Sequence, residues 1–297
     1  MNIIRSIPLT SWNPGQDFGD GRLQEILESG EIPYFPELPF ELQPNETRFL
    51  SAHWADPKSK NINLRPHSEV VRGAVGTTAD LLHLREMLQR YAALSEQLIA
   101  RLMPGYVPYM RRGGTSFRPV AVERRATSWR KDDSRLHVDA FPSNPMRGVR
   151  LLRVFSNVNP VGKPRVWRVG EPFRDFAVKF LPRTTTPLPG TAWLMHKLGI
   201  TKSRRSLYDH LMLQLHDGVK ADLDYQRNAR QQQFDFPPGC TWLVFSDQVL
   251  HAAMAGQFMM QQTFYLDLKG LRHPEMSPLH VLEELTARKI LETEYGG

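Results

Sequence analysis

Three of the ten histidines in this 297-residue chain stand two positions before an acidic residue. The pairs begin at His67, His137 and His273. Side chains at positions i and i+2 of a strand point to the same face, so such a pair can offer an imidazole and a carboxylate to one metal ion. Only His137 and Asp139 lie in a strand-like run, because the first pair lies in a polar loop and the third contains a proline. The sequence therefore predicts that His137 and Asp139 are metal ligands.

A third ligand is expected from a strand that is distant in sequence. Two histidines and one carboxylate on one face of a metal ion leave three positions open for a co-substrate and oxygen, as in non-haem iron oxygenases. Because Cys240 is the only cysteine, cysteine-rich metal centres and an internal disulfide are excluded. A zinc hydrolase with the same three ligands remains an alternative. His210 and His216 are six residues apart, so we interpret them as surface or packing residues.

The composition constrains the partner and the compartment. The formal net charge of +7 favours an anionic partner, which includes nucleic acid, an acidic membrane surface and an acidic small substrate. No stretch approaches the roughly 18 uninterrupted apolar residues of a membrane span, and the first residues lack the apolar run of a signal peptide. We therefore expect a cytoplasmic protein.

Elements that position the candidate ligands are predicted from periodicity and turn residues. Residues 1–70 are rich in proline and asparagine, and we expect an irregular arm with a short helix near 22–29. A long helix is predicted to begin after Thr77 or Thr78 and to stop at Pro104-Gly105. Strands are predicted at 117–122, 135–141, 149–158, 232–236, 241–246 and 259–268, and helices at 191–198, 203–216 and about 278–292.

Strands that are far apart in sequence, with helices before and between them, indicate the fold class. They predict an all-β core with helical support, in the α+β class. The simplest such fold is a double-stranded β-helix, or jelly roll, with flanking α-helices. We expect one domain over residues 1–297, with the jelly-roll core at about 115–270. The two sheets of a jelly roll enclose a cavity in which side chains from several strands converge.

The second half of the chain resembles the double-stranded β-helix dioxygenases. The run FDFPPGCTWLVFSD at 234–247 is followed by His251, Gly256 and an apolar strand. In that family a Pro-Gly turn, a buried strand ending in Phe, the distal histidine, a glycine and a final strand occur in this order. The resemblance implies that His137, Asp139 and His251 hold catalytic Fe(II), with 2-oxoglutarate and O2 as co-substrates.

The same resemblance implies that the far carboxylate of 2-oxoglutarate pairs with a cation, for which arginine is well suited. Many family members have an arginine about ten residues after the distal histidine, where this chain has Gln261. Because of this departure, we expect the cation on the strand at 149–158, with Arg153 as first candidate and Arg150 as second. Gln261 and Thr263 are further candidates for contact with 2-oxoglutarate. In a regular strand, Arg153 and Arg150 lie on opposite faces.

Cationic residues interleaved with glycine, serine and aromatic residues precede the metal motif. Arg118, Arg124, Arg125 and Arg130 are our candidates for binding an anionic substrate. A solvated charged face is the alternative interpretation of this segment.

The middle of the chain contains the runs SFRP at 116–119, WRKDD at 129–133, LHVDAFP at 136–142, RVFSNVNP at 153–160 and PRVWRVGE at 164–171. These five runs are similar to the Kdo hydroxylase family, whose bacterial members hydroxylate carbon 3 of the 3-deoxy sugar acid Kdo in the lipopolysaccharide inner core. The resemblance implies an Fe(II)/2-oxoglutarate-dependent dioxygenase that converts Kdo in a Kdo-lipid A precursor to the hydroxylated acid Ko. Such a substrate carries carboxylates and phosphates, which accounts for the basic surplus and implies peripheral contact with the cytoplasmic face of the inner membrane. No nucleic acid and no obligatory protein partner is expected.

Two other classes of function remain open from the sequence. A related iron oxygenase could act on another anionic substrate, including nucleic acid or protein, and its basic surface would then bind the phosphates of a polymer. A non-catalytic jelly-roll module could instead bind anionic glycans, with His137 and Asp139 only structural.

Overall fold

The computed structural model describes residues 3–15, 20–124, 128–188 and 190–291. This part of the chain forms a mixed α/β structure with one large sheet, one small sheet and several helices. The strands are β1 (Ile4–Ser6), β2 (Ile32–Phe35), β3 (Ile62–Leu64), β4 (Val71–Arg72), β5 (Met110–Arg118), β6 (Arg150–Asn157), β7 (Arg165–Val169), β8 (Gln232–Phe236), β9 (Thr241–Phe245), β10 (His251–Ala255) and β11 (Met259–Leu266). The helices are α1 (Arg22–Glu28), α2 (Thr78–Leu102), α3 (Phe173–Phe180), α4 (Thr191–Lys197), α5 (Leu207–Ala221), α6 (Leu223–Asn228) and α7 (Pro278–Thr286).

The large sheet has eight strands in the order β1-β2-β9-β6-β11-β5-β3-β4, and the small sheet has the order β10-β7-β8. All pairs in both sheets are antiparallel except β1 with β2. Neighbouring strands of the large sheet are mostly distant in sequence. For example, β6 lies between β9 and β11. The architecture therefore brings residues from both halves of the chain to one place.

Strand β6 divides the interior because every residue in it is buried and successive side chains alternate between the two faces of the sheet. Leu152 and Val154 pack in a core with residues of α2 such as Leu98 and Ile99. Phe155 packs in a second core that includes Trp167 of the small sheet. The face that carries Arg153 and Phe155 is thus directed between the two sheets, as the strand prediction required.

Helix α2 confirms the long helix predicted after Thr77. The Thr77 side chain accepts a hydrogen bond from the backbone N–H of Asp80, and the Asp80 carboxylate accepts one from the N–H of Thr77. This reciprocal pair satisfies two backbone donors that a helix start leaves open. No helix in the described part of the chain combines the length and the apolar character needed to cross a membrane.

Residues 1–70, which we expected to form an irregular arm, contribute strands to the large sheet. Strand β2 pairs with β9 through Tyr34 and Phe35, and β3 pairs with β5. These strands are only three or four residues long, so their alternation is too short to distinguish from a loop. The large sheet therefore extends beyond the predicted core at 115–270.

The strand predicted at 117–122 was wrong in its bounds. Strand β5 ends at Arg118, because Pro119 has no N–H to donate to a neighbouring strand. The strand runs instead through Gly113 and Gly114, which strands usually lack.

The segment predicted as a strand at 135–141 is extended but pairs with the small sheet only by an isolated bridge. This segment carries the metal motif.

The helix predicted at 203–216 begins later and ends later than expected. Ser206 caps α5 together with Asp209, and the helix continues through Asp217 and Gly218 to Ala221. A single glycine costs a helix only about 1 kcal/mol, so it did not end α5. The last helix, α7, stops at Thr286, where Ala287 adopts a positive φ of 51°. Glu292, the predicted end of that helix, lies outside the described residues.

Candidate metal and co-substrate site

The backbone of the His-x-Asp segment pairs with the segment around the distal histidine. His137 and His251 exchange two backbone hydrogen bonds of 2.9 Å each. The N–H of Asp139 donates to the carbonyl of Ser246 at 2.7 Å. These bonds hold the two imidazoles side by side, with ring centroids 4.7 Å apart. Residues that are 114 positions apart along the chain thus become neighbours.

One ligand atom from each of His137, Asp139 and His251 lies within 4.8 Å of the others, which is the spacing needed to hold a metal ion. The Nδ1–H of His137 donates to the carbonyl of Arg135 at 2.7 Å, and that of His251 donates to the carbonyl of Val249 at 2.8 Å. Since Nδ1 is the donor in both rings, both Nε2 lone pairs are available to a metal. The structure brings the three predicted ligands together with the tautomers that metal binding requires.

The electrostatics of Asp139 favour an ionised ligand. Its Oδ2 atom forms an ion pair with the guanidinium of Arg153 at 2.8 Å, and its Oδ1 atom lies 3.7 Å from Nε2 of His137. Burial by itself would raise the pKa of Asp139, but the positive charge of Arg153 and the interactions with His137 and His251 together outweigh that effect. The pKa is therefore well below its usual range. Asp139 is a carboxylate at any physiological pH.

His251 lies in a dry environment that keeps its ring neutral. The ring stacks on Trp167 with centroids 5.0 Å apart and an interplanar angle of 22°. Burial, reinforced by the nearby His137, lowers the pKa of His251 to about 4. A neutral imidazole is the form that binds metals.

A cavity of about 370 Å³ adjoins these three residues and is lined by strands of both sheets. Its walls carry four cations and only two carboxylates in the described residues, so the protein charge of the cavity is +2 before any metal is added. Such a surplus favours anionic ligands. The cations are Lys60, Arg118, Arg153 and Arg165, and the carboxylates are Asp133 and Asp139.

Three of the four predicted co-substrate residues line this cavity: Arg153, Gln261 and Thr263. Thr263 lies opposite Arg153 in the pairing of β11 with β6. The Nε–H of Arg153 donates to the hydroxyl of Ser246 at 2.9 Å, which fixes the guanidinium beside Asp139. The Gln261 carbonyl accepts from Arg118, and its amide donates to the Thr263 hydroxyl at 3.2 Å.

Arg150, our second candidate for contact with 2-oxoglutarate, does not line the cavity. It lies on the opposite face of β6, as the alternation of a strand requires. Its guanidinium is fully buried, donates to Asp247 and Gln248 at 2.6 Å each, and lies 4.0 Å from the ring centroid of Phe245. These contacts make Arg150 a structural residue of the core.

Replacing Arg150 by methionine should therefore destabilise the fold without affecting co-substrate binding. Removing one partner of a buried ion pair costs about 3–5 kcal/mol, because the remaining charge, here Asp247, is left uncompensated. Urea unfolding would measure this loss, and the KM for 2-oxoglutarate should stay unchanged. The double variant Arg150→Met/Asp247→Leu should recover part of the stability. A raised KM with unaltered stability would contradict this role.

The predicted substrate arginines are distributed differently. Arg118 lines the cavity, within 3.8 Å of Asp133. Arg130 does not line it, because the Arg130 side chain is exposed, pairs with Asp217 at 3.0 Å and stacks on Trp129. Arg125 lies outside the described residues, and the side chain of Arg124 is likewise not described.

Sequence reasoning missed the contribution of β7 and of the loop before β3. Arg165 and Trp167 project from β7 into the cavity, and Lys60 approaches from the loop, paired with Asp133 at 2.5 Å. Buried and half-buried residues alternate along β7, as expected of a strand with one face in the core. The sequence does not show this as an alternation of apolar and polar residues, because Arg165 occupies one of the buried positions. His216, interpreted as a surface or packing residue, packs edge-on against His137 with ring centroids 5.5 Å apart.

Comparison with known proteins identifies close similarities over nearly the whole chain. A family model described as 3-deoxy-D-manno-oct-2-ulosonic acid (Kdo) hydroxylase matches residues 13–289. The apo structure of the Kdo hydroxylase KdoO, a non-haem Fe(II) alpha-ketoglutarate-dependent dioxygenase, is 48% identical over 99% of each chain, with a TM-score of 0.94. KdoO in complex with alpha-ketoglutarate and Fe(III) is 47% identical over 99% of each chain, with a TM-score of 0.93. No curated protein sequence matches the chain.

Proposed function

This chain belongs to the Kdo hydroxylase family of non-haem Fe(II)/2-oxoglutarate-dependent dioxygenases, and from that premise we propose that it hydroxylates carbon 3 of Kdo in Kdo-lipid A to give Ko. The observation that carries the proposal is the convergence of His137, Asp139 and His251 beside a cavity of net positive charge. The zinc hydrolase and the non-catalytic glycan-binding module are disfavoured by membership of this family.

We infer that the two sheets are the two halves of a double-stranded β-helix. The order of strands supports this inference, because the distal histidine begins β10 in the small sheet while Arg153 and Thr263 lie in the large one. A site between the sheets, with ligands from one and co-substrate contacts from the other, suits that fold.

His137, Asp139 and His251 are the proposed ligands of Fe(II). The donor set of two imidazoles and one carboxylate fits this ion and leaves coordination positions for 2-oxoglutarate and O2. When bound, Fe(II) with 2-oxoglutarate and O2 supplies an oxidant that attacks an unactivated C–H bond. Acid–base groups could not attack such a bond, since the methylene at carbon 3 of Kdo is not acidic. The backbone carbonyls that accept from both Nδ1 atoms orient the rings before the metal arrives.

Arg153 is the proposed contact for the far carboxylate of 2-oxoglutarate. It is fixed by Ser246 and Asp139 and is therefore preorganised. Gln261 and Thr263 complete the polar wall beside it, and Arg118 reaches the same wall through Gln261. In this arrangement Gln261 occupies the position where many double-stranded β-helix dioxygenases have an arginine. Gln261 carries no charge itself, but its side-chain carbonyl orients the cation Arg118.

The charge of the cavity supports an anionic substrate besides the co-substrate. A dianionic 2-oxoglutarate is balanced by the surplus of +2 on the protein walls, and Fe(II) adds two further positive charges. The carboxylate of Kdo then enters without a net negative charge in the cavity. We propose that Kdo is presented on lipid A and that the enzyme meets it at the cytoplasmic face of the inner membrane, as the basic surplus of the whole chain favours.

Mass spectrometry of Kdo-lipid A after incubation with the protein, Fe(II), 2-oxoglutarate and O2 tests the reaction. We expect a gain of one oxygen atom on the sugar, with one succinate formed for each product. The matched control lacks 2-oxoglutarate and should leave the lipid unchanged. An iron-loaded protein that consumes 2-oxoglutarate but leaves Kdo-lipid A unaltered would indicate another anionic substrate. Steeply salt-dependent binding to random oligonucleotides would then favour nucleic acid.

A further inference from the structure

Residues 176–208 have an unusual charge composition. This stretch of 33 residues contains six lysine or arginine residues and no aspartate or glutamate. It therefore holds a local charge of +6 in a chain whose net charge is +7. The six cations are Lys179, Arg183, Lys197, Lys202, Arg204 and Arg205.

The same stretch exposes large apolar side chains. Of the fourteen that are exposed in the described part of the chain, six lie in the 23 residues from 178 to 200. Helix α4 buries none of its residues. A cluster of exposed apolar side chains of this kind marks an interaction surface. The six are Val178, Leu188, Trp193, Leu194, Leu198 and Ile200, each at least 46% exposed.

Most of the cations in this stretch are not neutralised by carboxylates of the protein. Lys179 pairs with Glu171 and Arg183 with Asp222. Among the described residues the other four have no ion pair with a carboxylate. Lys197 lies 4.7 Å from the ring centroid of Trp193, and Lys202 and Arg205 donate to neutral oxygens. Their charge is available to an external anion.

This surface is joined to the metal site. The guanidinium of Arg205 donates to the carbonyl of Pro142 at 2.7 Å, and the N–H of Lys202 donates to the carbonyl of Ser143 at 3.0 Å. Pro142 follows Phe141, which lines the cavity beside Asp139. A second cavity of about 490 Å³ borders the same stretch and is lined in part by Val178 and Leu181.

We infer that the face formed by residues 178–205 docks the enzyme onto an anionic lipid bilayer. Trp193 and Leu194 would enter the headgroup region, and Lys197 and Arg204 would contact lipid phosphates. Apolar residues flanked by cations and free of carboxylates are typical of interfacial membrane binding, and tryptophan is enriched at that depth. This inference rests on the proposed function, because an enzyme that acts on a lipid-linked sugar has to reach that sugar at the membrane surface.

Co-sedimentation of the full-length chain with vesicles tests the face without metal, 2-oxoglutarate or Kdo. Vesicles of phosphatidylcholine mixed with phosphatidylglycerol should bind the protein, and vesicles of phosphatidylcholine alone should bind it more weakly. Trp193→Ser/Leu194→Ser should weaken partitioning by about tenfold or more, since two apolar side chains no longer leave water. Lys197→Gln/Arg204→Gln should weaken it by about fivefold for each cation removed, and added salt should reduce that difference.

The matched control is Val70→Ser/Val161→Ser, which removes two similarly exposed apolar side chains elsewhere and should bind vesicles as the natural protein does. Thermal unfolding of each variant would establish that it folds. Unchanged vesicle binding in both test variants would refute the inference. A changed oligomeric state of Trp193→Ser/Leu194→Ser with intact vesicle binding would make the face a protein contact, and would also refute it. Vesicle binding by a protein that leaves Kdo unaltered would refute the proposed reaction but not this surface.

Discussion

Replacing His137 by alanine should abolish hydroxylation of Kdo and weaken metal binding by more than about 100-fold. Removing a residue that only hydrogen-bonds to a metal ligand already weakens metal binding by up to about 100-fold, and removing a ligand should cost more. The variant keeps Asp139 and His251 but loses one of three donors. Its backbone bridge to His251 needs no side chain, so the fold should remain. Calorimetry with Mn(II) as a stable substitute for Fe(II) measures the affinity, and mass spectrometry of Kdo-lipid A measures the product.

The control for this variant is His273→Ala, because His273 also precedes an acidic residue by two positions but is exposed and contacts Glu275. It should bind Mn(II) and form product as the natural protein does. Metal binding of natural affinity in His137→Ala would mean that the three converging side chains are not the metal site.

Replacing Arg153 by methionine should raise the KM for 2-oxoglutarate by about 100-fold, within the range for truncating one partner of a buried, hydrogen-bonded charge pair. It should also make metal binding sensitive to acid. Arg153 makes the largest of the contributions that lower the pKa of Asp139, so without it that pKa should rise. Asp139 would then become protonated at a higher pH, so metal affinity should fall earlier as the pH decreases.

The measurements are KM for 2-oxoglutarate and Mn(II) affinity as a function of pH. Arg153→Lys, which keeps the charge but not the planar fork, should be intermediate. An unchanged KM in Arg153→Met, with a large rise in Arg118→Met, would move the proposed contact along the same wall to Arg118.

The three candidate ligands could be predicted from sequence because each belongs to a local pattern. His137 and Asp139 form a pair two residues apart, and His251 follows a Pro-Gly turn and a buried strand in the order that resembles the double-stranded β-helix dioxygenases. The opposite orientation of Arg153 and Arg150 also followed from alternation alone, and the structure confirms that they lie on different faces of β6.

The irregular geometry around the motif could not be predicted, because no repeating pattern describes it. The N–H groups of His137 and Asp139 bond to different residues, His251 and Ser246, and that of Leu136 bonds to the side chain of Gln226. Each contact joins distant parts of the chain, so periodicity carries no information about them. A strand was the nearest regular element, and the observed segment shares only its extended conformation.

Buried cations were the second gap in the prediction. Arg165 is almost fully buried but lies at a position where an apolar residue would complete the alternation of β7. A charged residue in such a place is costly unless an anion or a polar group meets it. From sequence alone, an arginine at such a position could equally lie at an exposed strand edge. The structure distinguishes the two, because Arg165 lines the cavity.

The backbone bridge between His137 and His251 has a consequence for when the protein can acquire its metal. The two residues come from segments 114 positions apart, so an unfolded or incompletely synthesised chain has no preformed site. Contacts of such long sequence separation form slowly, because the intervening chain must first be closed into a loop. Capture of a metal ion by all three residues therefore has to follow the pairing of these two distant segments.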